Sequence, residues 1–120
     1  MIKLIVAGDR HFLDYKFVEK HLCDLLVGPN ATREVVEIIQ GGATGVDALA
    51  KRFAMDYFFR WRTFPADWNQ FGKAAGPMRN RKMAEYGDCL LALWDGKTRG
   101  TGNMIEEMKA LAKPYRIITI

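Results

Sequence analysis

The sequence predicts an α/β domain, a parallel sheet with helices on both faces, and three observations predict it. Short apolar runs rich in β-branched residues alternate with segments of helical period. Those runs are apolar on nearly every residue, as strands covered on both faces must be. Of the eleven glycines, only Gly28 and Gly87 fall in helix-to-strand turns, so the rest gather where strands lead into helices. In a parallel sheet those segments share one edge, the rim at the carboxyl ends of the strands.

The elements follow in order. Ile2 to Ala7 is the first strand. Asp14 suits a helix start, and Phe17, Val18, Leu22, Leu25 and Leu26 recur at helical spacing until Gly28-Pro29 ends the run. Val35 to Ile39 is the second strand, and Val46, Leu49, Ala50, Phe53 and Tyr57 mark the second helix. Phe58 to Phe64 reads as a more polar, edge-ward third strand. Pro77 to Tyr86 is a short helix, since proline is tolerated in a first helical turn. Asp88 to Trp94 is the fourth strand. Met104, Ile105, Met108, Leu111 and Ala112 mark the fourth helix, and Tyr115 to Ile120 is the last strand.

At 120 residues the chain fits one domain, 1–120, that buries about two-thirds of its unfolded surface, so no metal or disulfide staple is needed. The net charge of +4 favours anionic ligands and permits nucleic acid without demanding it. No apolar run approaches the ~20 residues of a membrane span, and the N-terminal run turns polar too soon for a signal peptide. A cytoplasmic protein without a membrane partner is therefore expected. Cys23 and Cys89 have no CxxC spacing and read as reduced core thiols. His11 and His21 have no partners at ligand spacing, and no metal or cofactor is called for.

Chemistry is expected on the rim. Gly41-Gly42-Ala43-Thr44-Gly45-Val46-Asp47 follows a strand and opens a helix, the geometry of an anion-binding turn, although it is neither GxGxxG nor a Walker loop. Asp47 falls in the first helical turn, as a dipole-favoured acid or an acceptor for ribose hydroxyls. Gly8-Asp9-Arg10 follows the first strand, where the arginine can clamp phosphate. Asn80 sits inside a helix, where asparagine is a poor choice unless it has a hydrogen-bonding duty. Around it, Arg79, Arg81 and Lys82 cannot all share one face. Trp94 to Gly102 leads from the fourth strand into the last helix. There Thr98, Thr101 and backbone amides near Asp95 and Gly100 are candidates for phosphate, with Lys97 or Arg99 to neutralise it. Trp94 and Trp68 serve either as core or as stacking partners for a base.

Together and in this order, VAGDR, QGGATGVDALA, PADW with GKAAGPMRNRKMAEYGD, and LALWDGKTRGTGNMIEEM resemble the YspA-like branch of the SLOG superfamily, which includes the LOG proteins and the DprA core. The resemblance spans nearly the whole chain. It implies a Rossmann-like domain with sheet order 3-2-1-4-5 and a switch point between strands one and four. It also implies binding or sensing of a nucleotide-derived ligand, as in phage and bacterial conflict systems. Gly8, Arg10, Gly41, Gly42, Thr44, Asp47, Arg79, Asn80, Asp95, Gly100 and Thr101 would line the site; Asp9, Gly45 and Trp94 adjoin them.

LOG enzymes cleave nucleoside 5′-monophosphates to base and ribose phosphate with an arginine and a glutamate behind a PGGxGT turn. The corresponding turn here, DGKTRGTGNMIEE, lacks the proline-glycine-glycine, and Glu106 stands further along than that motif sets its glutamate; Arg79 and Glu106 are the pair to test. Two alternatives thus stand beside a nucleotide-binding domain: a LOG-like phosphoribohydrolase, and a DprA-like nucleic-acid binder. For the latter, Arg60, Trp61 and Arg62 interleave cations with an aromatic, as a polar edge strand also does. LOG-like relatives are dimers, so a homo-oligomer is expected by resemblance.

Overall fold

A computed structural model of the chain describes residues 2–29 and 36–120. Five strands, β1 (Ile2–Gly8), β2 (Val36–Gln40), β3 (Arg60–Thr63), β4 (Cys89–Trp94) and β5 (Tyr115–Thr119), form one sheet in the order β3-β2-β1-β4-β5. All four pairings are parallel; Leu4 stands beside Ile38 and Cys89, and Ile39 beside Arg62. The expected fold class and strand order are both present.

The helices are α1 (Tyr15–Leu26), α2 (Val46–Asp56), α3 (Trp68–Phe71), α4 (Ala75–Tyr86) and α5 (Arg99–Ala110), with a 3₁₀ turn at Gly72–Ala74 between α3 and α4. Residues alternate across the sheet, so β1, β2 and β4 each feed two cores. Leu4, Val6, Val36, Ile38, Leu91 and Leu93 pack under α1 and α2 through Val18, Leu22, Ala50 and Phe53. Ile5, Ala7, Ile39, Leu90 and Ala92 pack under α4 and α5 through Met83, Met104, Ile105 and Met108. Each fully buried large apolar side chain contributes about 1.5–3 kcal/mol, so the cohesion comes from β1, β2 and β4 together with the helix faces packed on them.

Local chemistry sets the helix ends. Asp14 caps α1 by accepting from the Phe17 amide at 3.2 Å. α2 and α5 close with left-handed residues that are not glycine, Phe58 (φ 61°) and Ala112 (φ 54°). Behind them, the Phe59 amide donates to Ala54 O at 2.8 Å and the Lys113 amide to Met108 O at 3.0 Å, the wrapped ending that a left-handed residue permits. The Lys113 ammonium also donates to the carbonyls of Ala84, Glu85 and Gly87 at 2.8–3.0 Å, capping the C-terminus of α4 from the loop that precedes β5.

Several boundaries differ from the sequence reading, each for a local reason. Position 35, read as the start of the second strand, lies outside the described residues, and β2 runs on to Gln40. β3 is shorter than the span 58–64, because the left-handed Phe58 cannot extend into a ladder. α4 starts two residues before Pro77, which places the proline where no intrahelical donor is needed. The short α3, capped by Asp67 accepting from the Gln70 amide at 3.1 Å, has no buried residue and so gave no periodic signal. Cys23 and Cys89 are both free thiols.

Candidate functional site

The site's position follows from the strand order. β1 leads to α1 on one face of the sheet, while its neighbour β4 leads to α5 on the other. The two loops therefore diverge and open a crevice beyond the strand ends, where ligands of open α/β sheets bind. Gly8-Asp9-Arg10 forms one lip and Asp95 to Thr98 the other. The loop after β2 lies against the first lip.

That loop, Gly41 to Gly45, is closed on itself. The amides of Gly41 and Ala43 donate to Asp47 Oδ2 at 3.1 and 3.2 Å, and the Gly42 amide donates to Gln40 Oε1 at 2.6 Å. A carboxylate of the chain thus occupies the turn that the sequence suggested for a ligand anion. Burial pushes Asp47 up to about 6, against the opposing pull of the Ala43 amide, the Arg79 charge and the Gly41 amide. Gly45 (φ 72°) brings this loop against the first lip, and a side chain there would collide with the backbone of Asp9 and Arg10. The contact is sealed by Val46 N–H donating to Asp9 O at 3.1 Å and Thr44 Oγ1 donating to Arg10 O at 2.9 Å. Gly8 is likewise filled from outside, by Val46 and the Leu93 carbonyl.

Arg79 and Asn80 tie this loop to α5. The Arg79 guanidinium lies over Gly41, where a Cβ would strike it, and donates to Gly41 O, to Phe64 O at 3.4 Å and to Asn80 Oδ1 at 2.9 Å. Asn80 passes the chain on, donating to Gly100 O at 3.1 Å and Asn103 Oδ1 at 2.9 Å. Burial lowers the Arg79 pKa, and the Asp47 carboxylate opposes that shift. Asn80 is 4% exposed and fully engaged, which accounts for an asparagine mid-helix. The neighbouring Arg81 points elsewhere and pairs with Glu107 at 3.6 Å.

The loop after β4 has the opposite character. Asp95 Oδ1 accepts from the amides of Lys97 and Thr98, both at 2.8 Å, and Oδ2 accepts from Thr98 Oγ1 at 3.0 Å. These bonds, the Thr98 amide first, hold the Asp95 carboxyl below its usual range. Because Thr98 spends its hydroxyl on Asp95, no side chain caps α5. Gly100, in its first turn, faces open space, with nothing within 4 Å of where a Cβ would stand. Thr101 is buried beside it. The Arg10 side chain is exposed on the other lip, where its Nε donates to the neighbouring His11 ring at 3.3 Å.

Two expected groups fall outside this set. The Trp94 indole donates to Thr98 O at 2.9 Å and packs under Gly102, so its ring supports the first turn of α5. Glu106 forms no contact with Arg79; it pairs with Lys109 at 3.3 Å and stays 70% exposed, while the guanidinium is engaged with Gly41.

Beyond Arg79 a cleft of about 350 Å³ runs between the segment after β3 and α4, lined by Phe64, Pro65, Phe71, Met78, Arg79 and Lys82 among others. The sequence reading missed it because its wall is the non-periodic stretch that includes α3. Proline-aspartate at 65–67 and the exposed Trp68 and Phe71 were the available signal. Among the described residues no cluster of His, Cys, Asp or Glu fits a metal ion, and no helix is long and apolar enough to cross a membrane.

Comparison with known proteins agrees with this architecture. A family model described as the YspA, cpYpsA-related SLOG family matches residues 2–71. The chain is 30% identical over 122 residues to the Gene 61 protein of Mycobacterium phage D29, covering 95% of this chain and 94% of that one. The chain belongs to the YspA, cpYpsA-related SLOG family. Among solved structures, DNA processing protein A (DprA) of Streptococcus pneumoniae superposes with a TM-score of 0.78 at 17% identity, over 98% of this chain and 50% of that chain. Helicobacter pylori DprA, described for its single-stranded DNA binding mode, gives 0.69 at 19%, over 97% and 64%; the structural-genomics target TM1055 gives 0.69 at 18%, over 96% and 72%. These likenesses concern the fold, and the chain spans half of the pneumococcal protein.

Proposed function

We propose that this chain binds a nucleotide-type ligand through its phosphate at the crevice between the β1 and β4 loops. The observation that carries the reading is the first turn of α5. It is uncapped, it sits at the switch point, and Gly100 leaves room for an anion to reach its amides. A helix start offers free N–H groups and partial positive charge, which suit phosphate. Arg10 on the facing lip, with Lys97 and Arg99, supplies neutralising charge. The Gly41–Asp47 loop contributes shape and rigidity here, since its own amides are engaged. Membership of the SLOG family supports the same class of ligand.

The test is mass spectrometry of small molecules released from the purified protein, before and after incubation with nucleoside monophosphates, NAD and ADP-ribose. Retention of an intact nucleotide, lost in Arg10→Ala and in Gly100→Ala, is the expected result. Release of free base and ribose phosphate, abolished by Glu106→Ala, would replace binding with catalysis.

A second reading, single-stranded nucleic acid, draws support from the name of the Helicobacter structure and from the chain's net charge of +4. It predicts an affinity for oligothymidylate that falls steeply with salt, whereas a single phosphate contact gives a shallow dependence. The homo-oligomer expected by resemblance is checked by light scattering on the same sample.

A further inference from the structure

We infer that the free edge of β3, together with Phe58, is a docking strip for an extended segment of another protein that alternates acidic and apolar residues. β3 ends the sheet, so the backbone groups on its outer side have no strand partner among the described residues, and all four of its residues are exposed. An unpaired edge is a template for strand addition unless its side chains forbid it.

The side chains here sort by face. Trp61 pairs in register with Ile38, which packs under α1 and α2, and Arg62 with Ile39, which packs under α4 and α5. Trp61 and Thr63 therefore lie on one face of the edge, Arg60 and Arg62 on the other. Trp61 is 44% exposed, and Phe58, just before the strand, is 92% exposed. Phe58 also stands in a left-handed conformation that glycine adopts freely and a bulky aromatic adopts at a cost. The backbone of Phe58 ends α2, but its side chain, almost wholly in water, adds no packing to this fold, which suits an aromatic used for contact.

Charge selects the occupant. In an antiparallel pairing of two copies through β3 centred on Trp61, each Arg60 stands opposite Arg62 of the other copy, and like charges directly opposite are destabilising. A strand with Asp or Glu at alternate positions meets them favourably while its apolar residues reach Trp61 and Phe58. Single-stranded nucleic acid fits less well. Stacking needs cations and aromatic on one face, whereas here the sheet separates them.

The experiment is selection of random peptides displayed on phage against the immobilised full chain, followed by synthesis of an enriched peptide. Enriched sequences are expected to alternate Asp or Glu with apolar residues. The synthetic peptide should bind roughly tenfold more weakly to Phe58→Gly and to Arg60→Glu, as truncation of an interface anchor does. It should also slow amide exchange at residues 60–63. Phe58→Gly relieves the left-handed strain, so its thermal midpoint should be equal or higher, and lost binding there cannot come from unfolding. The inference is overturned by an absence of enrichment, by enriched peptides without the alternation or indifferent to Phe58→Gly, by displacement of the peptide with oligothymidylate, or by sedimentation showing self-pairing that Phe58→Gly abolishes.

Discussion

The loops after β2 and β4 look alike as sequence and behave oppositely as structure. Both are glycine-rich, both carry an aspartate, and both open a helix. In the first, Asp47 lies within the fold and takes the amides of Gly41 and Ala43, so those donors are claimed by the chain itself. In the second, Asp95 is exposed and turned back on Lys97 and Thr98, which leaves the start of α5 uncapped. The count of glycines does not separate a closed turn from an open one. What separates them is where the nearest carboxylate can reach.

Breaking the closed loop should have the largest effect. Asp47→Ala removes the acceptor of two amides and leaves Arg79 half-buried without its counter-charge, so urea unfolding should show a loss of about 3–5 kcal/mol. A loss no larger than that of an exposed substitution would mean that the loop is held by Gln40 and Gly45 alone.

The pH dependence should separate the two carboxylates by sign. Asp47 is raised from 3.8 to about 6, so the folded state holds a proton that the unfolded state has released. Its contribution is fully present below the unfolded value and is lost as pH rises through about 6, on the order of 3 kcal/mol over that window. Asp95, held below its usual range, works the other way: its contribution is present above the unfolded value and lost as pH falls. Stability against pH for Asp47→Asn and Asp95→Asn, each subtracted from the parent, should give slopes of opposite sign between about pH 3 and 7. Equal signs would contradict the burial difference.

The smallest change is the most selective. Gly100→Ala fills open space inside a helix and should stabilise the chain by about 0.5–1 kcal/mol. In the same protein, the methyl group stands where the proposed phosphate must approach, so nucleotide retention should fall. A variant that is more stable and still binds normally would move the ligand away from α5.

Much of the fold was legible because it rests on periodicity. β1, β2 and β4 announced themselves as largely apolar runs, and α1, α2 and α5 as apolar stripes that the structure mostly buries, with Leu25 and Leu111 left exposed. α3 was not legible, since a helix with no buried residue leaves no stripe. The site was legible as a location and not as a set of roles. Position at the strand ends follows from topology, but the use of Asp47 within its own loop and the commitment of Trp94 to Thr98 depend on side-chain reach. Arg79 and Asn80 were marked by an asparagine in a helix interior, a local energetic anomaly that the Gly100 and Asn103 bonds resolve.

Two fastenings along α4 bear on how the molecule moves. At its middle Arg79 and Asn80 tie it to Gly41, Gly100 and Asn103, and at its end the Lys113 ammonium grips three carbonyls. A rod held at two points along its length neither slides along its axis nor turns about it. Adjustment around an arriving ligand is then left to residues 65–74, which have no buried side chain and form one wall of the cleft beside Arg79. In a hydrogen-exchange experiment that hinge should label first and α4 late, so the same cleft would have one compliant side and one stiff side.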